Sequence, residues 1–228
     1  MGRPDLSRRA TTELIAVFAL VFAIGSAAAE AGSGRAELGL AAMAGVSGLA
    51  IAALVYATGH LSGAHINPAV TIAFAATRHF PRRDAVAYIA AQLAGAGLAG
   101  LLLHACWPGD PGDLGATAIT VSPGLAVLYE LLLTALLMFV IVAVATDTRA
   151  VGAGAAIAIG VVVALDILIG GAVSGASMNP ARSFGPALGS GTWADFWVWI
   201  AGPIPGALVG ALAYQHVRVP HTPPGATP

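Results

Sequence analysis

Long apolar stretches alternate with short polar breaks along the whole chain. Apolar runs cover roughly residues 12–31, 38–58, 84–105, 125–145, 154–172 and 196–217. Each is close to the ~20 residues that carry a helix across the hydrocarbon core of a bilayer. Thr11 or Thr12 is placed to cap the first helix and Asp84 the third. The breaks carry turn signals: Gly32-Ser33-Gly34-Arg35, a basic turn at 78–83 interrupted by Pro81, a Gly-, Pro- and Asp-rich loop at 107–123, Thr146-Asp147-Thr148-Arg149, and a loop at 189–195. Two further apolar runs, 70–76 and 183–188, are too short to span. Each follows a copy of Ser-Gly-Ala-x-x-Asn-Pro-Ala, at 62–69 and at 174–181. Asn caps a first helical turn and Pro suits its first position. Both runs are therefore expected to be half-helices whose N-termini lie at membrane depth. Broken helices at matching points of two repeats point to a transport site.

The repeat extends beyond the two boxes. Asn67 and Asn179 stand 112 residues apart, Glu13 in the first span matches Glu130 in the fourth, and residues 91–96 (AQLAGA) match residues 202–207 (GPIPGA). Three spans per half is an odd number, so the second half runs inverted. The half-helices then enter from opposite faces, and their positive N-terminal ends meet near the midplane. Gly95, Gly97, Gly100, Gly206 and Gly210 allow close span packing. The expected fold is an all-α membrane protein of six transmembrane helices plus two re-entrant half-helices, built as an inverted repeat. A single channel domain covers 12–217, with repeats at about 12–105 and 125–217. It lies between an N-terminal tail, 1–11, and a Pro-rich, disordered C-terminal tail, 218–228.

Composition supports the membrane reading. The 228 residues are 57% hydrophobic and 9% charged, against roughly 25% charged in soluble domains. The lipid bilayer is thus the expected partner, and a net charge of −1 argues against nucleic acid. Every basic residue is Arg. With six spans, Arg3, Arg8, Arg9, Arg78, Arg82, Arg83, Arg149 and Arg218 share one side, while Arg35 lies opposite and Arg182 sits in the second re-entrant segment. Both termini are therefore expected in the cytoplasm; a bacterial inner membrane is expected only through the family resemblance given below. The first run has only a weak cleavage candidate at Ala27-Ala28-Ala29 and reads as a retained helix. The single Cys106 excludes an internal disulfide. No His/Cys cluster has metal-ligand spacing and no phosphate-binding loop occurs, so no metal, cofactor or enzymatic activity is expected.

The polar residues inside apolar surroundings carry the chemistry. Asn67 and Asn179 cap their half-helices and have amide donors to offer a passing oxygen. Carbonyls of Gly63, Ala64, His65 and Ile66, and of Gly175, Ala176, Ser177 and Met178, would form an acceptor ladder, allowed only where backbone lines a wet cavity. A cation meets two positive helix ends and Arg182, itself a charge costing at least ~2.5–3.5 kcal/mol at membrane depth. Glu13 and Glu130 are read as structural acids, each accepting hydrogen bonds from the re-entrant loop of its own half, with a proton relay as the alternative. Asp166 either bonds to loop backbone or stays protonated. His60 is a candidate for the cytoplasmic mouth or for packing between loop and helix. His79, His104, His216 and His221 read as span-end or tail residues.

The paired boxes Asn67-Pro68-Ala69 and Asn179-Pro180-Ala181, the two span acids, and Arg182 three positions after the second Asn resemble the aquaporin, or major intrinsic protein, family. Residues 175–180 (GASMNP), 145–149 (ATDTR) and 67–74 (NPAVTIAF) are most similar to its nodulin-26-like branch, known from plants with bacterial relatives. The resemblance implies a homotetramer with one pore per subunit. It also implies a passive channel for water, glycerol-sized polyols and metalloid hydroxides such as boric, arsenous and silicic acid. Counting from the two Asn residues, the family's narrow filter falls on Ser47, Ile167, Ala176 and Arg182; a slip in span two would put Val46 or Gly48 there. The Phe and His of water-specific members are absent, so a wider opening is expected. Asp166 stands where the family usually has Asn. Two other classes fit parts of the chain. A proton-coupled transporter could use Asp166, and an intramembrane serine protease could use Gly45-Val46-Ser47-Gly48, although the duplicated box would then be unexplained.

Overall fold

The computed structural model describes residues 4–147, 150 and 154–218. Arg3, Thr148, Arg149, His221 and the rest of the tail beyond Arg218 lie outside the described residues, so their expected placements are not addressed.

Among the described residues the chain is helical: α1 (Leu6–Gly32), α2 (Leu40–Ser62), α3 (Pro68–Ala76), α4 (Arg82–Cys106), α5 (Pro123–Thr146), α6 (Ala155–Ser174), α7 (Pro180–Ser190), α8 (Val198–Ala201) and α9 (Pro203–Val217). Six segments are long and apolar enough to cross a membrane, α8 and α9 together making the sixth. Ile15, Leu49, Val86, Leu132, Val161 and Leu212 are exposed on the outside of the bundle. Water would penalise that surface and a bilayer solvates it. The protein is an integral membrane protein.

The expected boundaries shift where a local bond decides them. α1 starts at Leu6, ahead of Thr11, because Asp5 accepts the Arg8 backbone N–H at 2.9 Å as its cap; Thr12 instead bonds back to the Arg8 carbonyl. The N-terminal tail is correspondingly shorter than 1–11. Asp84 is not the cap of α4, which begins after Pro81 without a side-chain cap. Its carboxylate accepts from Arg9 Nη2 at 2.9 Å, and both side chains are buried. Arg9, expected on a solvated tail, thus ties the start of α1 to the start of α4. The sixth span breaks between α8 and α9, because Pro203 has no N–H for the helical ladder.

Small residues set the packing. A methyl group on Gly95 would strike the Leu14 carbonyl, and one on Gly206 would strike the Leu131 carbonyl. The same close crossing thus joins α1 to α4 and α5 to α9. Each half-helix seats against the last span of the opposite half: α3 on α9, and α7 on α4, where Gly100 meets Gly185. The two halves therefore complete each other's interior, and neither short helix faces lipid alone.

Candidate functional site

A void of about 620 Å³ runs through the bundle. Leu20, Ile24, Ile51, Val55, Leu137, Ile141, Ile159 and Val163 supply apolar wall. The polar strip comes from the two re-entrant loops, and a pair of buried acids holds their shape.

Between α2 and α3 the backbone follows neither helix nor strand, and Ala64 and Ile66 have φ of 48° and 52°. The matching loop between α6 and α7 repeats this at Ala176 (42°) and Met178 (54°). Left-handed backbone at a β-branched residue such as Ile66 is costly, ~1–3 kcal/mol per position, and needs surroundings that over-determine it. Glu13 does this in the first half. Its Oε1 accepts from Ser62 Oγ (2.7 Å) and the His65 N–H (2.9 Å), and its Oε2 from the Ile66 N–H (2.7 Å) and Gln92 Nε2 (2.8 Å). Glu130 does it in the second. It accepts from Ser174 Oγ (2.7 Å) and the N–H groups of Ser177 (2.9 Å) and Met178 (2.7 Å). A second pair of side chains braces the helix ends: Tyr88 Oη donates to the Ser62 carbonyl (2.6 Å), and Trp199 Nε1 to the Ser174 carbonyl (2.8 Å). The acids stand out in the sequence; these two aromatics do not, although both sit in the repeat.

Glu13→Gln should therefore cost stability more than selectivity. One amide oxygen can replace one carboxylate oxygen, but the amide nitrogen faces two donors. Each donor left unpaired in the interior costs ~1–3 kcal/mol. The expected result is a lower melting temperature and a lower yield of folded protein in detergent, with solute ranking unchanged in what folds. A well-folded variant that conducts nothing would show that the acid does more than hold the loop.

The two Asn residues bind across the halves. Asn67 Oδ1 accepts from the Ala69 N–H (2.8 Å) and Asn179 Oδ1 from the Ala181 N–H (3.0 Å), as caps do. Asn67 Nδ2 donates to the Met178 carbonyl and Asn179 Nδ2 to the Ile66 carbonyl, both at 2.8 Å. Each amide keeps one further N–H, and both residues line the void. The expectation of unpaired carbonyls thus needs correction at Ile66 and Met178, which already accept from the facing repeat. Gly63, Ala64, His65, Ile66, Ser177 and Met178 line the void. Gly175 does not, because it lies against Thr117. Pro68, Ala69, Pro180 and Ala181 are buried in the first turns of the half-helices.

Ser47, Ile167, Ala176 and Arg182, drawn from α2, α6, the second loop and α7, all line the void; Val46 and Gly48 do not. Ser47 Oγ donates to the Met43 carbonyl (2.9 Å), so it is spent within its own helix and engages no base. Arg182 Nη1 donates to the Gly115 carbonyl (2.9 Å). That carbonyl belongs to the stretch expected as a plain loop. Among the described residues it folds into a tight turn at Pro111–Gly115, with Leu114 fully buried. It is pinned further by Thr117 Oγ1 donating to Ser183 Oγ (2.9 Å) and by the Thr120 N–H donating to the Val173 carbonyl (3.0 Å). Leu114, alone among Gly and Asp, was the available sequence signal. At the opposite end the lining includes His79, Phe80 and Thr146 but not His60. The mouth histidine is therefore His79, placed there by the turn that ends α3. His65 packs among Phe74, Phe80 and Tyr88 and bonds Thr71 Oγ1 at 3.1 Å. Asp166 is fully buried but outside the lining.

The family model for major intrinsic proteins matches residues 1–214. Aquaporin NIP1-1 of Zea mays is 44% identical over 211 residues, covering 92% of this chain and 75% of that protein. Nodulin-26 of Glycine max is 46% identical over 173 residues, covering 76% and 64%. Among solved structures, the aquaglyceroporin from Plasmodium falciparum superposes with a TM-score of 0.82 at 26% identity, covering 93% of this chain and 97% of that one.

Proposed function

The chain belongs to the major intrinsic protein family and is a passive transmembrane channel for small neutral solutes; from that premise we propose which solutes it passes and how it excludes the rest. The observation that carries the proposal is the ring-free lining at Ser47, Ile167 and Ala176 beside Arg182. Glycerol and neutral metalloid hydroxides (arsenous, boric and silicic acid) pass along with water. Their hydroxyls donate to loop carbonyls left without helix or strand partners, and their oxygens accept from Arg182 and from the spare N–H of Asn67 and Asn179. Ile167 gives an apolar wall for the rest of the solute. Cations are refused by Arg182 and by the positive ends of α3 and α7. Protons are refused because the central amide donors orient waters oppositely on the two sides. Glu13 and Glu130 act as structural acids that hold the loops.

The described core from α1 to α9 forms one channel domain. The exposed apolar faces are covered by lipid and by other copies in a homotetramer, as the family resemblance carries. Arg8, Arg78, Arg82 and Arg83 are exposed at the end where α1 and α4 begin and α3 and α9 finish, and this basic end supports cytoplasmic termini. The two relatives are plant proteins. They lend no support to the bacterial inner membrane expected from the sequence.

A proton-coupled transporter would want its acid in the lumen, and Asp166 is not there. Passive conduction is tested by tracer glycerol flux in proteoliposomes. The rate should rise linearly with concentration and ignore an imposed proton gradient. Saturation together with acceleration by that gradient would replace the channel with a carrier.

A further inference from the structure

The second box is braced differently from the first. In the first half Thr71 Oγ1 donates to the Asn67 carbonyl (2.9 Å), bonds His65 Nδ1 (3.1 Å) and accepts from Gln92 Nε2 (3.0 Å). Gln92 belongs to α4, so the first box is held from within the bundle. The positions that match His65, Asn67 and Thr71 in the repeat are Ser177, Asn179 and Ser183. Ser177 Oγ donates to the Asn179 carbonyl (2.9 Å) and bonds Ser183 Oγ (2.6 Å). Gln92, however, matches Pro203, which has neither a side-chain donor nor an N–H.

The donor comes instead from the loop between α4 and α5. Thr117 Oγ1 donates to Ser183 Oγ at 2.9 Å. Each hydroxyl has one proton to give, and Ser177 gives its own to Asn179, so Ser183 is the donor in the 2.6 Å bond to Ser177. The hydroxyls therefore form a one-way chain from Thr117 through Ser183 and Ser177 to the Asn179 carbonyl. All of them are buried, where a hydroxyl left without a partner is costly. Of the three, Ser177 lines the lumen. Thr117 also fills the space beside Gly175, where an added methyl would stand 2.9 Å from Thr117 Cγ2. Two residues earlier, Gly115 carries the carbonyl that holds Arg182. The stretch 115–117 thus meets the second half of the pore at Arg182, at the turn on Gly175 and at the hydroxyl chain.

We propose that Thr117 is a positioning residue that determines solute specificity: its hydroxyl, through Ser183 and Ser177, ties the outer loop to the second box and so holds Ala176 and Arg182 in fixed relation. Thr117 lies outside the lining and acts only through these partners. The second half of the pore is then set from the face opposite the termini, whereas the first half is set by α4. A loosened tie lets Ala176 and Arg182 shift relative to each other, and solutes of different size are told apart less well. Thr117→Val is the informative change, because valine keeps the branched shape beside Gly175 and removes only the hydroxyl. Thr117→Ser keeps the hydroxyl. Ser183→Ala cuts the same chain at its next link, and two cuts in one chain should not add.

The flux arm of the test rests on the proposed filter; the exchange arm does not. Each variant is reconstituted in liposomes, and the fluxes of glycerol and of the larger polyol erythritol are measured. In Thr117→Val the glycerol-to-erythritol ratio should fall by about fivefold, the factor that one neutral hydrogen bond supports. Ser183→Ala should match it, the double variant should fall no further, and Thr117→Ser should stay close to the unmodified protein. Backbone amide exchange is followed by mass spectrometry in the same samples. Thr117→Val and Ser183→Ala should speed exchange at 115–120 and 175–183 and leave 63–71 unchanged, because only the second box is tied to the outer loop. An unchanged flux ratio in both single variants overturns the proposal, and so does a double variant whose loss is the product of the single losses. Exchange that rises equally in both boxes also overturns it, because the hydroxyl would then serve general stability alone. If the unmodified protein passes neither polyol, the filter reading fails on its own, while exchange at 175–183 still decides whether Thr117 holds the second box.

Discussion

Arg182→Val should leave neutral-solute flux intact or raised and should admit cations and protons. Arg182 is a charged side chain lining the void, held in place by the Gly115 carbonyl. A cation passing within ~4 Å of the guanidinium meets roughly 4 kcal/mol of repulsion at an effective dielectric near 20. The two half-helix ends contribute about half a charge each and remain after the substitution. Removing Arg182 should therefore lower the barrier without abolishing it, and ion leak should rise by up to roughly a thousandfold, the factor that about 4 kcal/mol supports. Valine is smaller, so nothing is added that blocks a solute. The leak is read with an internal pH-sensitive dye in proteoliposomes under an imposed potential. Unchanged leak in a correctly folded variant would take Arg182 out of the barrier and leave exclusion to the helix ends alone.

Ser47→Phe combined with Ile167→His should convert the solute range. Both positions face the void from different helices, α2 and α6. A phenyl ring in place of a hydroxymethyl group narrows the opening from one side. An imidazole in place of a sec-butyl group adds a polar ring from the other and offers water a partner that isoleucine cannot. Glycerol and metalloid hydroxide flux should fall by more than about tenfold, because a bulky solute that clashes even slightly pays ~1–3 kcal/mol. Water flux should persist. The paired substitution is tested by stopped-flow light scattering with each solute in turn. An unchanged spectrum would mean that the narrowest part of the lumen lies elsewhere.

The features legible in the sequence are those set by local chemistry or by the repeat. Hydropathy alone locates the six spans, and Asn-Pro locates both half-helix starts, because capping and the proline ring act within one turn. The duplication by itself pairs Glu13 with Glu130, and an acid in an apolar span must find donors nearby. Counting from the boxes brings Ser47, Ile167, Ala176 and Arg182 to one void because α2 and α6 run unbroken and pack closely where Gly48 meets Gly160. What stayed hidden depends on contacts between distant backbone atoms, which no residue type announces. The Asn67 amide finds the Met178 carbonyl, and Arg182 finds that of Gly115, in each case through an acceptor that every residue carries. Arg9 and Asp84 look like surface charge and a helix cap until the starts of α1 and α4 are seen to meet. His79 reaches the mouth because of the turn at Arg78, whose φ of 66° could not be read from the apolar pattern.

The most direct measurement of the wide, neutral-solute lumen is the permeability of the unmodified protein. Stopped-flow shrinkage of proteoliposomes would compare water, glycerol, boric acid and arsenous acid at neutral pH, where both acids are mostly uncharged, against protein-free vesicles. A lumen lined by Ser47, Ile167, Ala176 and Arg182 predicts glycerol, boric acid and arsenous acid fluxes well above the vesicle background. Fast water flux with none of the three above background would contradict it.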